Sequence, residues 1–168
     1  FTLTAYFISF GVAQLFYGLW SDQIGRKVPL YGGIGIFIVA SIGCALAPTI
    51  GWLIAFRILQ GAGGAALMVV PRAIIRDMHT GTQATKLLAM VILVISISPM
   101  LAPLVGSGLI VIGDWRLIFW TLCLTAVLSL ILTVTALPET SLPSERVPLN
   151  LRNFVRGSNT LIRDPVFM

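Results

Sequence analysis

Residues Val28–Ala47 read VPLYGGIGIFIVASIGCALA, a run without a single charge, set between Arg26-Lys27 and Pro48-Thr49. A helix of about 20 apolar residues crosses the hydrocarbon core of a bilayer, and a helix satisfies every backbone polar group of such a span from within. Four more stretches share this character: Phe1–Trp20, Ile50–Pro71, Leu87–Ile112 and Leu117–Leu137. The expected fold is therefore an all-α integral membrane bundle with five spans. The rest of the composition agrees. Of 168 residues, 57% are hydrophobic and 10% charged, with a mean hydropathy of +0.98. Soluble domains carry roughly 25% charged residues, and a soluble protein this apolar would expose patches that aggregate. Disorder is excluded too, because it requires low hydrophobicity and high net charge.

The net charge of +5 reads as sorting across a bilayer rather than as a nucleic-acid footprint, because the basic residues alternate between loops. Arg26 and Lys27 follow the first span. Arg72, Arg76 and Lys86 follow the third, and Arg146, Arg152, Arg156 and Arg163 lie in the tail. Pro48-Thr49 has no charge, and Gly113–Arg116 holds Arg116 alone among the basic residues. The positive-inside rule makes the basic side cytoplasmic, which places Phe1 outside and Met168 inside and leads us to expect a further span before Phe1. Cys44 and Cys123 lie in apolar runs, apart from the His, Asp and Glu clusters that a metal site needs. They read as packing residues.

Residues 138–168 are expected to form a cytoplasmic central loop. Within it Leu151, Phe154, Val155, Ser158, Leu161 and Ile162 recur at helical spacing opposite Arg152, Arg156, Asn159 and Arg163. This is the pattern of an interfacial amphipathic helix, or of a short soluble one, with Asn150 as candidate N-cap.

Arg57 stands out in the third span. Seven residues into its helix, it lies about 10 Å below the outer end, where arginine costs on the order of 2.5–3.5 kcal/mol. It must face the bundle interior or a wet cavity, with Gln60, Gly61 and Gly64 on its side of the helix. The alternative role is an arginine that holds helices together through carbonyls. In the loop Gly18–Lys27, Gly25 lets the chain reverse, Asp22 is placed to cap a helix, and Arg26 is placed to pair with a carboxylate such as Asp77. Ser98, Pro99, Ala102, Pro103, Gly106 and Ser107 make the fourth span a bent helix with a small-residue face suited to close packing. Gly11, Gln14 and Gly18 form a similar stripe on the first span.

These motifs together resemble the N-terminal half of a major facilitator superfamily transporter, specifically the Bcr/CflA-type drug–proton antiporters of twelve spans. Gly18-Leu19-x-x-Asp22-x-x-Gly25-Arg26-Lys27 is similar to the family's loop between its second and third helices. Arg57-x-x-Gln60-Gly61-x-Gly63-Gly64-Ala65-Ala66 is similar to its fourth-helix motif, and Pro71-Arg72-x-x-x-Arg76-Asp77 to the end of that helix. Ala102-Pro103-x-x-Gly106-Ser107 resembles the antiporter motif with Ala and Ser in place of glycines. Trp115-Arg116-x-x-Phe119-Trp120 and Leu137-Pro138-Glu139-Thr140 resemble the sixth helix and its exit.

The resemblance implies that residues 1–137 are the second to sixth helices of a six-helix bundle, in a bacterial inner membrane. It also implies a cytoplasmic gate of Gly18, Asp22, Gly25, Arg26, Lys27, Arg76 and Asp77, and a proton-coupling cavity with Arg57, Gln60 and Gln14. Gly61, Gly64, Pro99, Pro103 and Gly106 pack helices. The implied partners are a small-molecule substrate, protons, the lipid bilayer and a C-terminal half.

No acidic residue lies inside the five spans, so if the protein is proton-coupled, the titrating acid is expected in a preceding first helix or in a second half. Superfamily halves contain inverted three-helix repeats, and the two matching loops here each carry an Asp followed by an Arg: Asp22/Arg26 and Asp114/Arg116. Proton-coupled efflux of small amphiphilic drugs is the leading reading, and transport of one metabolite the alternative. An intramembrane enzyme would need clustered catalytic side chains, whereas the sole histidine, His79, is in a loop. Catalysis, cofactors, metals and nucleic acid are not expected.

Overall fold

The computed structural model describes residues 1–136, and the amphipathic segment at Leu151–Ile162 with its cap Asn150 lies outside them. Five helices follow one another: α1 (Thr2–Ile24), α2 (Lys27–Leu46), α3 (Ile50–Met78), α4 (Gly81–Ile112) and α5 (Arg116–Ala136). Each is long and apolar enough to cross a membrane. Large hydrophobic side chains stay exposed along all five, Phe7, Val39, Leu59, Leu104 and Leu132 among them. Lipid is the solvent that such faces match.

Three boundaries differ from the sequence reading. α1 runs past Trp20 to Ile24, so Asp22 lies on the helix rather than in a loop. α3 continues through Pro71 to Met78, and α4 begins at Gly81, six residues ahead of Leu87. Proline removes one helical hydrogen bond, which a packed membrane helix tolerates. Arg72, Arg76, Asp77 and Lys86 consequently ride on helices, and the connection shrinks to His79-Thr80.

α3 is the hub. It packs along α1 on one side and α2 on the other, and α5 lies against α2. Glycine makes these seams possible. A Cβ on Gly61 would strike the Tyr6 carbonyl oxygen of α1, and one on Gly64 would sit 2.9 Å from the Tyr6 hydroxyl. On the other side, a Cβ on Gly63 would come within 2.6 Å of the Phe37 nitrogen and 2.7 Å of the Gly33 carbonyl oxygen of α2. One glycine-rich turn thus admits two neighbouring backbones at once.

Backbone atoms cannot yield as a flexible side chain does. Gly63→Val is therefore expected to destabilise the folded protein by about 3 kcal/mol or more, whereas Gly32→Ala, with open space around its site, should be neutral or slightly stabilising. Thermal unfolding in detergent distinguishes the two. Equal midpoints would overturn the seam.

α4 departs from expectation. It carries no buried residue, touches only α3 and α5 and does so sparsely, and Gly106 has nothing within 4 Å of an added Cβ. Pro99 and Pro103 are exposed. The small-residue face of α4 thus packs on no helix among the described residues, since none lies across from it.

Candidate functional site

α1 and α3 run in the same direction, and this fixes two polar clusters at a shared offset of 51 residues. Tyr6 meets Arg57 near one end, and Arg26 meets Asp77 at the other. By helical rise the two clusters are about 30 Å apart along α3. The fully buried polar side chains among the described residues are Ser21, Ser41 and Gln60, and every one of them serves an arginine.

The first cluster closes the basic end. Gly25, at φ 103°, turns the chain between α1 and α2 in a conformation that L side chains rarely adopt. This turn aims Arg26 back across α1. Its Nε donates to Asp77 Oδ2 at 2.7 Å and its second amino group to Asp77 Oδ1 at 3.3 Å. Its first amino group donates to Asp22 Oδ1 at 2.5 Å and to Ser21 Oγ at 2.6 Å. Burial pushes the Arg26 guanidinium down, but hydrogen bonds and charge attraction from Asp77 and Asp22 outweigh this and hold it above its ordinary value.

Several gate residues read from the sequence have other places. Asp22 accepts from Arg26 instead of capping α2, whose first turn has no side-chain cap. Lys27 starts α2 half-buried, and Arg76 is exposed in the last turn of α3. Neither forms an ion pair among the described residues. Gly18 is half-buried with open space beside it.

The second cluster surrounds Arg57. Its guanidinium lies 4.8 Å from the Phe119 ring of α5 and 5.7 Å from the Tyr6 ring of α1. One amino group donates to Gln60 Oε1 at 2.9 Å. Gln60 Nε2 in turn donates to Ser41 Oγ at 2.8 Å, and Ser41 Oγ to the Phe37 carbonyl oxygen at 2.7 Å. The Arg57 Nε–H is buried without a partner among the described residues.

Gln14 does not join this cluster. It is eight residues beyond Tyr6 on α1, about 12 Å along the helix. Tyr6, Ser41 and Phe119 were not legible as neighbours of Arg57, because each lies on a different helix and in an apolar run. Both loop pairs do form: Asp22 with Arg26, and Asp114 with Arg116 at 2.9 Å. Arg116 also reaches the Ala47 carbonyl oxygen at 3.5 Å, tying the start of α5 to the end of α2.

Such a molecule is a multi-pass helical membrane protein whose central helix carries a half-buried arginine toward one end and an ion-pair clamp at the other. The sequence profile of the Major Facilitator Superfamily matches residues 1–168, and the chain belongs to that family. It is 34% identical over 99% of its length to an uncharacterized MFS-type transporter, YdgK, of Bacillus subtilis. It is 30% identical over 93% of its length to a bicyclomycin resistance protein homolog of Haemophilus influenzae. To the multidrug resistance protein MdtL of Escherichia coli it is 35% identical over 82% of its length. The chain spans 42%, 39% and 35% of these relatives. They agree with the Bcr/CflA-type resemblance of its motifs.

Proposed function

We propose that this chain is part of a twelve-span, proton-coupled exporter of small amphiphilic compounds in a bacterial inner membrane. Its five helices serve as the second to sixth of the N-terminal bundle, and residues 138–168 as the loop toward the C-terminal half. The observation that carries this reading is the unfilled donor edge of Arg57. A guanidinium set between two rings, with one amino group on Gln60, still offers Nε–H and an amino group side by side. That fork fits a carboxylate. Among the described residues the acidic side chains are Asp22, Asp77 and Asp114, all at helix ends, so the carboxylate comes from outside the described residues.

An arginine is charged at every accessible pH and favours the ionised form of a carboxylate beside it. Protonating that acid weakens the pair, and the Arg26–Asp22–Asp77 clamp supplies a contact that closes in one state and opens in the other. The names of the drug-resistance relatives support amphiphilic drugs as cargo.

The test uses the protein expressed from its complete gene in everted membrane vesicles. Lipophilic cationic dyes should accumulate when a proton gradient is imposed and leak out when it is collapsed. Gradient-driven movement of an amino acid, nucleoside or sugar with no dye transport would replace this reading with that of a metabolite carrier.

A further inference from the structure

Ser41 lies in α2, outside every motif that marks the gate or the arginine, yet it is fully buried and bonded. Its hydroxyl has one hydrogen, and that hydrogen goes to the Phe37 carbonyl oxygen one turn back. The oxygen is left as an acceptor only. The Gln60 side chain that faces it must then present its NH2 group, as it does at 2.8 Å. An amide that turns its nitrogen toward α2 turns its carbonyl oxygen toward Arg57. Arginine has only donors, so this is the one orientation of Gln60 that can hold it. Ser41 and Arg57 thus require the same orientation of the amide from its two ends.

We propose that Ser41 is a positioning residue. It fixes the orientation of the Gln60 amide, which in turn holds the Arg57 guanidinium between Tyr6 and Phe119. The inference rests on the reading of Arg57 as a proton-linked residue only for its effect on transport, not for its geometry. Without the hydroxyl, Gln60 is a buried amide with an unsatisfied NH2 group, free to rotate toward any carbonyl it can reach. A rotated amide would turn donors toward a cation that also has only donors, and the guanidinium would leave its site between the rings. Thr at position 41 keeps the hydroxyl, and threonine in a helix makes the same bond to the carbonyl four residues back.

The experiment reads position and transport separately, in the complete protein. With arginine labelled by nitrogen-15, the Nε–H resonance of Arg57 is assigned by its loss in Arg57→Lys. Set against two aromatic rings, this proton should be displaced from the position of solvent-exposed arginines. Ser41→Ala should move it toward that position, Ser41→Thr should keep it, and Ser41→Ala in a Gln60→Leu background should cause no further movement. Proton-driven efflux should fall about tenfold in Ser41→Ala, the scale of one unsatisfied buried donor, and recover in Ser41→Thr.

An unchanged Arg57 resonance in Ser41→Ala overturns the proposal, as does an additional shift in the Gln60→Leu background. A resonance that moves while efflux stays at the wild-type rate upholds the positioning role. In that case it is the proton-linked reading of Arg57 that falls.

Discussion

Arg57→Met is expected to yield an inserted, folded protein that exports almost nothing at neutral pH. The stability terms come close to cancelling. Removing the charge relieves an insertion cost of about 2.5–3.5 kcal/mol, while losing a donor to Gln60 costs about 1–3 kcal/mol. Methionine is flexible enough to fill the gap between Tyr6 and Phe119 and makes favourable sulfur–ring contacts. Function has no such compensation. A cation beside a carboxylate lowers its pKa by about 1–3 units, so without Arg57 the acid rises by that amount. At a fixed neutral pH the ratio of deprotonated to protonated acid then falls by about 10- to 1000-fold, one decade per unit. The sign gives a second readout, because activity should return as the pH is raised by the same interval. Arg57→Lys keeps the charge and loses the planar fork, and should retain part of the rate. The check is proton-driven efflux in everted vesicles across a pH series, with expression followed by blot. Wild-type rates and an unshifted profile in Arg57→Met would make Arg57 a packing residue.

The second large effect belongs to the clamp, and its two carboxylates are not equal. Asp77 takes two bonds from Arg26, and its side chain is 27% exposed against 53% for Asp22. Hydrogen bonds to charged groups contribute about 1.5–3 kcal/mol, whereas exposed ion pairs contribute about 0.2–1 kcal/mol. Asp77→Asn should therefore shift the balance between closed and open forms by about 10- to 150-fold, and Asp22→Asn by about fivefold at most. Arg26→Ala should match or exceed Asp77→Asn, since it leaves both carboxylates and Ser21 without their partner. The guanidinium is held above its ordinary value, so its contribution is complete at every pH below that range. No loss of the clamp in the neutral range should trace to Arg26. Alkylation of a cysteine introduced at Gln23, beside the clamp, reports opening, and efflux reports the consequence. Equal effects of the two aspartate substitutions would show that the clamp works by charge count rather than by bonding.

The spans were legible because lipid imposes one simple demand: twenty apolar residues with every backbone group bonded internally. That demand acts locally, so Val28–Ala47 announces itself without reference to any other residue. The clamp was legible in part. A positive-φ turn at Gly25, followed directly by Arg26, carries its meaning within ten residues, and Asp77 was the carboxylate expected at the same face. Arg57 was conspicuous because charge at that depth is costly wherever it points.

What surrounds Arg57 was another matter. Tyr6, Ser41 and Phe119 reach it from α1, α2 and α5, and a contact between helices depends on register and crossing, which a local pattern does not encode. Gln14 shows the same limit from the other side: the right residue type on the right helix, set two turns away by the register of α1 on α3. The small-residue face of α4 reads as a packing surface in sequence and meets no helix here. Periodicity marks the face, and only a neighbouring helix decides whether it is covered. Sequence alone determined which segments cross the membrane and which arginine is too costly to be idle. The tertiary structure decided what holds that arginine, because hydrogen bonds between helices form where backbones approach, and the glycines of α3 set that approach.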